Sequence, residues 1–367
     1  MTAGSIEGPG RILVFRIGHL GDTIVALPAF RAIRRRFPDS HIAFLCNASE
    51  GEERRVPATS VLPEKGLFDE LIGYRMPGGF RSTAGALRLI RRLRRSRFDT
   101  VFYLMTRNRT ASRIARDRRF FKLCGVGRIA CDEFVLRNLL ELPVAGPLPR
   151  VDYEGDFLLR SLREEFGEDG HPKEAYPDLQ LTRAEKERAS NWLSAVLGSP
   201  PKGRRLMGIG PGSKWDSKIW PEDRFRSVVG ELVRSEGVFP VVFGGPEDKE
   251  KGERLVSRWG TGAVAAGSLN VREAGAALSF CDLYLGNDTG TMHLAAAAGV
   301  PCVAVFAAID YPGRWEPPGA AHRMLRTSVP CEGCHTPDCF NDHLCLTSVG
   351  TEEVLAACLE VIDGNRN

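Results

Sequence analysis

Two stretches of this chain repeat one rhythm: a strand-length apolar run, a glycine-bearing turn, then a segment with apolar residues every three or four positions. The first stretch opens with RILVFR (11–16), turns at Gly18, His19, Leu20 and Gly21, and continues with apolar residues at Ile24, Leu27, Phe30 and Ile33. Arg34, Arg35 and Arg36 close that segment and Pro38 follows, which is how a helix ends. HIAFLCN (41–47) and DTVFYLM (99–105) read as further strands, the latter after an arginine-rich helix. The rhythm restarts at RLMGIG (205–210), with a helix over 221–237 and a strand at VFPVVFGG (238–245). AVAAG, the helix VREAGAALSF, the strand DLYLGN (282–287), the helix MHLAAAAGV and the strand PCVAVFA complete it. Continuous apolar strands alternating with helices mean parallel sheets covered on both faces. The expectation is therefore two Rossmann-like, doubly wound α/β domains. EEFGEDGHPKEAYPDLQL (164–181), rich in Gly, Pro and acid, reads as the link between them.

Composition narrows the class. At 367 residues, 43% hydrophobic and 26% charged, the chain has the balance of a globular protein of about two domains. The longest apolar run, Gly299 to Ile309, is far short of the ~18 residues of a membrane span. The opening MTAGSIEGPGR lacks the basic-then-apolar order of an export signal, so a cytoplasmic location is expected. Charge is uneven: residues 1–180 carry 30 Lys and Arg against 23 Asp and Glu, the remainder 20 against 23. Thirteen arginines fall between Arg81 and Arg119, within which Leu87, Ile90 and Leu93 keep helical spacing. Such a face is either a solvated helix surface or an attractor of anions: nucleic acid, acidic lipid or phosphorylated sugar.

Ten cysteines are too few for a disulfide scaffold. Four of them cluster, Cys331, Cys334, Cys339 and Cys345, with His335 and His343 between. A thiolate metal site would need such a set, but the second pair lacks C-x-x-C spacing, and no metal is expected. Three glycine-bearing loops at strand ends hold the candidate chemistry. In GHLGDT (18–23), Asp22 lies at a helix start, as a cap or as a general base. In GPGSKWDSKIWP (210–221), Ser213, Lys214 and Lys218 suit a phosphate. In GNDTGTMHLAAAAG (286–299), Asp288, Thr289 and Gly290 open a helix whose N–H groups suit an anion, with His293 one turn on.

Taken together, ILVFRIGHLGDTIVALPAFRAIRRRFP, SKIWP, NDTGTMHLAAAAGVPCVAVF and the cysteine-rich tail CEGCHTPDCFNDHLCLTSVGTEEVLAAC resemble glycosyltransferase family nine, the ADP-heptose:lipopolysaccharide heptosyltransferases. The resemblance spans nearly the whole chain and is weakest over 50–200. It implies a GT-B fold, two Rossmann-like domains facing a cleft. The first would take residues 1–180 and bind acceptor, the second 181–350 and bind nucleotide sugar. A helix over 351–367 would return to the first. It also implies an inverting, metal-independent transfer of heptose from ADP-heptose to a hydroxyl of the lipopolysaccharide inner core, with no cofactor. Asp22 takes the place of the general base and Lys218 that of the lysine neutralising the diphosphate. Ser213, Lys214, Asp288, Thr289, Gly290 and His293 match the donor loops, and Leu269 stands where an apolar residue meets adenine. His19 replaces a small hydroxyl residue, and Trp215 follows Lys214; both departures bear on which sugar or acceptor fits. His19, Arg107, Arg109 and Arg113 are the candidate acceptor contacts. The expected partners are a nucleotide-sugar donor and an anionic glycan or glycolipid, with peripheral contact at the inner membrane face and no nucleic acid. Two alternatives stand beside this: a transferase or epimerase for another nucleotide sugar, and a non-catalytic binder of anionic lipid or nucleic acid.

Overall fold

The computed structural model describes residues 10–47, 57–74, 83–141, 147–167, 176–199, 203 and 205–364. They form two compact units. One takes the described residues up to Glu141 and from Glu154 to Pro177; the other takes 147–153 and the described residues from Asp178 onward.

In the first unit the order is β1 (Arg11–Phe15), α1 (Leu20–Arg36), β2 (His41–Asn47), β3 (Glu70–Tyr74), α2 (Thr83–Ser96), β4 (Thr100–Tyr103), α3 (Ala111–Leu123), β5 (Arg128–Ala130), α4 (Asp132–Arg137) and α5 (Glu154–Phe166). All strands are parallel, in the order β3-β2-β1-β4-β5. The four apolar residues of β1 after Arg11 are fully or nearly fully buried, because helices cover both faces of the sheet. Sheet order reverses between β1 and β4, so the loops after these two strands flank the crevice where open α/β sheets bind ligands. The arginine-rich helix α2 buries its apolar stripe only in part: Leu93 is buried, while Leu87 stays 51% exposed.

The second unit runs α6 (Arg183–Leu197), β6 (Leu206–Gly210), α7 (Glu222–Glu236), β7 (Phe239–Val242), α8 (Lys249–Trp259), β8 (Ala263–Val264), α9 (Val271–Leu278), β9 (Leu283–Asn287), α10 (Gly290–Ala297), β10 (Cys302–Phe306), β11 (Arg323–Arg326), α11 (Leu344–Thr347) and α12 (Thr351–Gly364). Its parallel sheet is ordered β11-β10-β9-β6-β7-β8, reversing between β6 and β9.

Two details differ from the sequence reading. The segment just before α5 belongs to the second unit: Val151 N–H donates to Pro312 O at 2.9 Å, and Arg150 pairs with Glu316. The terminal helix α12 also stays there. Val354, Ala357, Cys358, Val361 and Ile362 are buried in one core with Val229 and Leu232 of α7, Leu285 of β9 and Val305 of β10. Returning to the first unit would strip that apolar face of its cover.

Candidate active site

In the first unit, β1 runs into Arg16, a side chain only 1% exposed. Its Nε donates to Asp22 O at 2.8 Å and its Nη1 to Leu104 O at 2.9 Å, tying the β1 loop to the β4 loop. Its Nη2 lies 3.9 Å from Asp22 Oδ1. Asp22 Oδ2 accepts the N–H of His19, the N-cap of α1, at 2.9 Å. Asp22 is thus both a helix cap and a carboxylate held beside a buried guanidinium, with its side chain 23% exposed. Gly18 is required here, since a Cβ would stand 2.4 Å from Asp22 Cβ. Gly18 N–H donates in turn to Asn47 Oδ1 at the end of β2. His19 itself is exposed at the mouth of this loop.

The three arginines after β4 have different fates. Arg107 is 4% exposed; its Nε bonds to Glu154 Oε2 at 3.1 Å and its guanidinium lies over Phe157. Arg109 donates to Tyr103 Oη at 2.9 Å and pairs with Asp117, itself 4% exposed. Both neutralise buried carboxylates, which would be costly left alone. Arg113, exposed in the first turn of α3, is the member of the set that faces solvent.

In the second unit, the loops after β6, β7, β8 and β9 emerge at one end of the sheet. Gly210 and Gly286 leave room for the Tyr284 hydroxyl, which a Cβ at either would overlap. Gly212 does the same for Asp248, whose carboxyl is raised above its ordinary pKa by burial. Asn287, fully buried, joins two loops: its Oδ1 accepts Trp220 N–H at 3.0 Å and its Nδ2 donates to Gly212 O. Lys218, in a short turn over Asp216–Lys218, places Nζ 2.6 Å from Asp288 Oδ2, with Asp288 only 4% exposed. His293 Nε2 lies 4.0 Å from the other oxygen, Oδ1, and its ring meets Trp315 edge-on. Thr289 is the N-cap of α10, its hydroxyl within 2.9 Å of Thr291 Oγ1, and Gly290 begins the helix. Ser213 Oγ accepts Trp215 N–H, while Lys214 is exposed at the loop's tip. Leu269, half-buried, sits in the loop after β8 just before the N-cap of α9. The structure therefore brings Lys218, Asp288 and His293 into direct proximity, places Ser213, Lys214, Thr289 and Gly290 in the same two loops, and sets Leu269 in the loop after β8 at the same end of the sheet.

The cysteine-rich segment braces this site. Ser217 donates through N–H and Oγ to the carbonyls of Pro337 and Thr336, and His343 Nε2 meets Asp216 Oδ2 at 2.8 Å. Cys331, Cys334, Cys339 and Cys345 are free thiols around a small apolar cavity, and Cys339 accepts the N–H groups of Asn341 and His343. Among the described residues no three His, Cys, Asp or Glu side chains are arranged to hold a metal ion.

Sequence reasoning missed Arg16, Asp248 and the Asp310 cluster, where Arg314 and the Trp315 indole N–H both bond to the Asp310 carboxylate. The one available signal for Arg16 was an arginine ending an otherwise apolar strand.

The family model for glycosyltransferase family 9 (heptosyltransferase) matches residues 86–344. The chain belongs to glycosyltransferase family 9. Over 137 residues it is 29% identical to lipopolysaccharide heptosyltransferase 2 of Escherichia coli, an alignment covering 36% of this chain and 38% of that one. It thus spans little more than a third of that curated relative. Over 303 residues it is 22% identical to lipopolysaccharide heptosyltransferase 3 of Escherichia coli, covering 79% and 82%. The fold is that of a family 9 glycosyl transferase from Veillonella parvula, with a TM-score of 0.75 at 23% identity over 98% and 99% of the two chains. It is also that of the E. coli ADP-heptose lipopolysaccharide heptosyltransferase II, with a TM-score of 0.67 at 20% identity over 97% and 100%. Two parallel α/β units of GT-B type agree with the sequence expectation.

Proposed function

We propose that this family 9 chain transfers heptose from ADP-heptose to a hydroxyl of an inner-core lipopolysaccharide acceptor, with inversion and without a metal ion. The observation that carries the reading is the Lys218–Asp288 pair beside the start of α10, at the reversal point of the second sheet. As the glycosidic bond breaks, charge gathers on the leaving diphosphate; a lysine and helix N–H groups aimed there stabilise it. Asp288 orients the ammonium, and Leu269, in the loop after β8 at the same end of the sheet, offers an apolar face for a base. Asp22, capping α1 through one oxygen and held beside Arg16, takes the proton from the acceptor hydroxyl as it attacks the anomeric carbon. With a cationic side chain doing the neutralising, the reaction needs no divalent ion. The cytoplasm, which keeps thiols reduced, suits the ten cysteines.

The test is incubation with ADP-heptose and a heptose-free inner-core acceptor, read by mass spectrometry, with UDP- and GDP-sugars as competitors. Product from the ADP donor in the presence of chelator is expected. Activity lost to chelator and restored by a divalent ion, or product only from another nucleotide sugar, overturns the reading. Asp22→Asn should cut turnover on the order of 100-fold or more while ADP still binds.

A further inference from the structure

Arginines of the first unit gather at the end of the sheet opposite Asp22. Arg11 begins β1, Arg97 sits just before β4, and Arg88, Arg91, Arg92 and Arg95 lie along α2. They line an open concavity of about 710 Å³. Only part of this charge is spent within the protein. Arg92 pairs with Glu70 at 2.8 Å. Among the described residues, Arg88, Arg91 and Arg95 are exposed and meet no carboxylate, and Arg11 Nε is buried with no hydrogen-bond partner while its guanidinium lies over Phe98. Asp99, beside them, has one oxygen committed to Arg11 N–H. Like charges packed this closely repel unless an anion meets them.

We infer that this concavity docks the protein on an anionic lipid surface. Three features favour spread headgroups over other anions. The arginines come from separate elements and face an open hollow, whereas a single phosphate is held in a tight cradle of N–H groups. Among the described residues, Ser96 is the one non-arginine lining the hollow, and no exposed aromatic stands there on which a nucleic-acid base would stack. Leu87, 51% exposed one turn before Arg91, gives the helix an apolar side chain to enter the acyl boundary beside its cations.

This deepens the proposed transfer by naming the surface on which a lipid-borne acceptor is met. The five residues of β1 span about 17 Å, so docking and chemistry occupy separate ends of the unit. The two readings can therefore fail independently.

The experiment is co-sedimentation of the full chain with phosphatidylcholine vesicles, with and without phosphatidylglycerol, across a salt series. Inorganic phosphate and a single-stranded oligonucleotide serve as soluble competitors. Neutralising one arginine near such a surface costs about fivefold in partitioning, so Arg88→Gln, Arg91→Gln and Arg95→Gln together should lose on the order of 100-fold. The loss should shrink as salt rises, and Leu87→Gln should weaken binding at every salt concentration. Arg183→Gln, Arg234→Gln and Arg254→Gln, all exposed in the second unit, remove the same charge elsewhere and should leave binding nearly intact. Transfer to a soluble acceptor should be unchanged in the α2 variant. The inference is overturned if the unmodified chain ignores phosphatidylglycerol at low salt, or if both triple variants lose binding equally. It is also overturned if only phosphate or the oligonucleotide binds.

Discussion

Replacing Arg16 with methionine tests whether the first loop is built to hold its carboxylate. The substitution keeps the unbranched apolar stem of a side chain only 1% exposed, so the packing around the stem is preserved while the guanidinium is removed. It removes the donors to Asp22 O and Leu104 O, leaving two acceptors in a part-buried and a buried setting without their partner. Each such loss costs about 1–3 kcal/mol, so about 2–4 kcal/mol is expected for the pair after partial relaxation. For a unit of this size that lowers the unfolding midpoint by about 5–10 °C. The β1 and β4 loops also lose their tie, and a carboxylate displaced by about 1 Å slows reaction on the order of 100-fold. Arg16 acts through Asp22, so kcat should fall while the KM for ADP-heptose stays put, since the proposed donor site lies in the other unit. Arg16→Lys keeps a cation and one donor direction and should recover part of kcat. Differential scanning calorimetry and steady-state kinetics on both variants decide the matter. A destabilised Arg16→Met enzyme with normal kcat would reduce Arg16 to packing, and unchanged melting as well would refute the bonding argument.

Lys218→Ala should weaken ADP binding by about 1–3 kcal/mol in calorimetry, and Thr289→Ala should do so to a similar or smaller extent; unaltered affinity in both would place the donor elsewhere. Glu185 caps α6 and pairs with Arg272, whose bonds hold its carboxyl down to about 2 from the usual 4.5. Its folded pKa lies below its unfolded one, so its stabilising contribution is whole above pH 4.5 and disappears as pH falls towards 2. Glu185→Gln should therefore destabilise the second unit at neutral pH by about 1–3 kcal/mol and converge with the unmodified protein in acid melts; a pH-independent difference would argue against the pairing. Arg109→Met should lower stability by about 1–3 kcal/mol, since Asp117 loses one cation but keeps Arg116 and the Tyr103 hydroxyl, with acceptor KM little changed once folded protein is compared; a selective rise in KM would place Arg109 at the acceptor.

Periodicity determined most of the architecture. HIAFLCN became β2 residue for residue, and 205–210, 238–245, 282–287 and 301–307 each enclose a strand, because a strand covered on both faces must be apolar throughout. Glycine-bearing turns after those runs marked the loops at the ligand-binding ends, and charge arithmetic marked α2. What sequence left undecided were matters of partnership between distant residues. Whether Arg107, Arg109 or Arg113 faces solvent depends on Glu154 and Asp117, and only the folded chain brings Glu154 back to β4. The path of α12 turned on which core had an apolar face to cover. β3, β5 and β11 were overlooked because short edge strands have one neighbour and carry exposed or charged residues. Arg16 is the clearest case. Sequence places an arginine at the end of β1, but only the meeting of the β1 and β4 loops turns it into a buried guanidinium beside Asp22, since hydrogen bonding between remote segments leaves no period in a sequence.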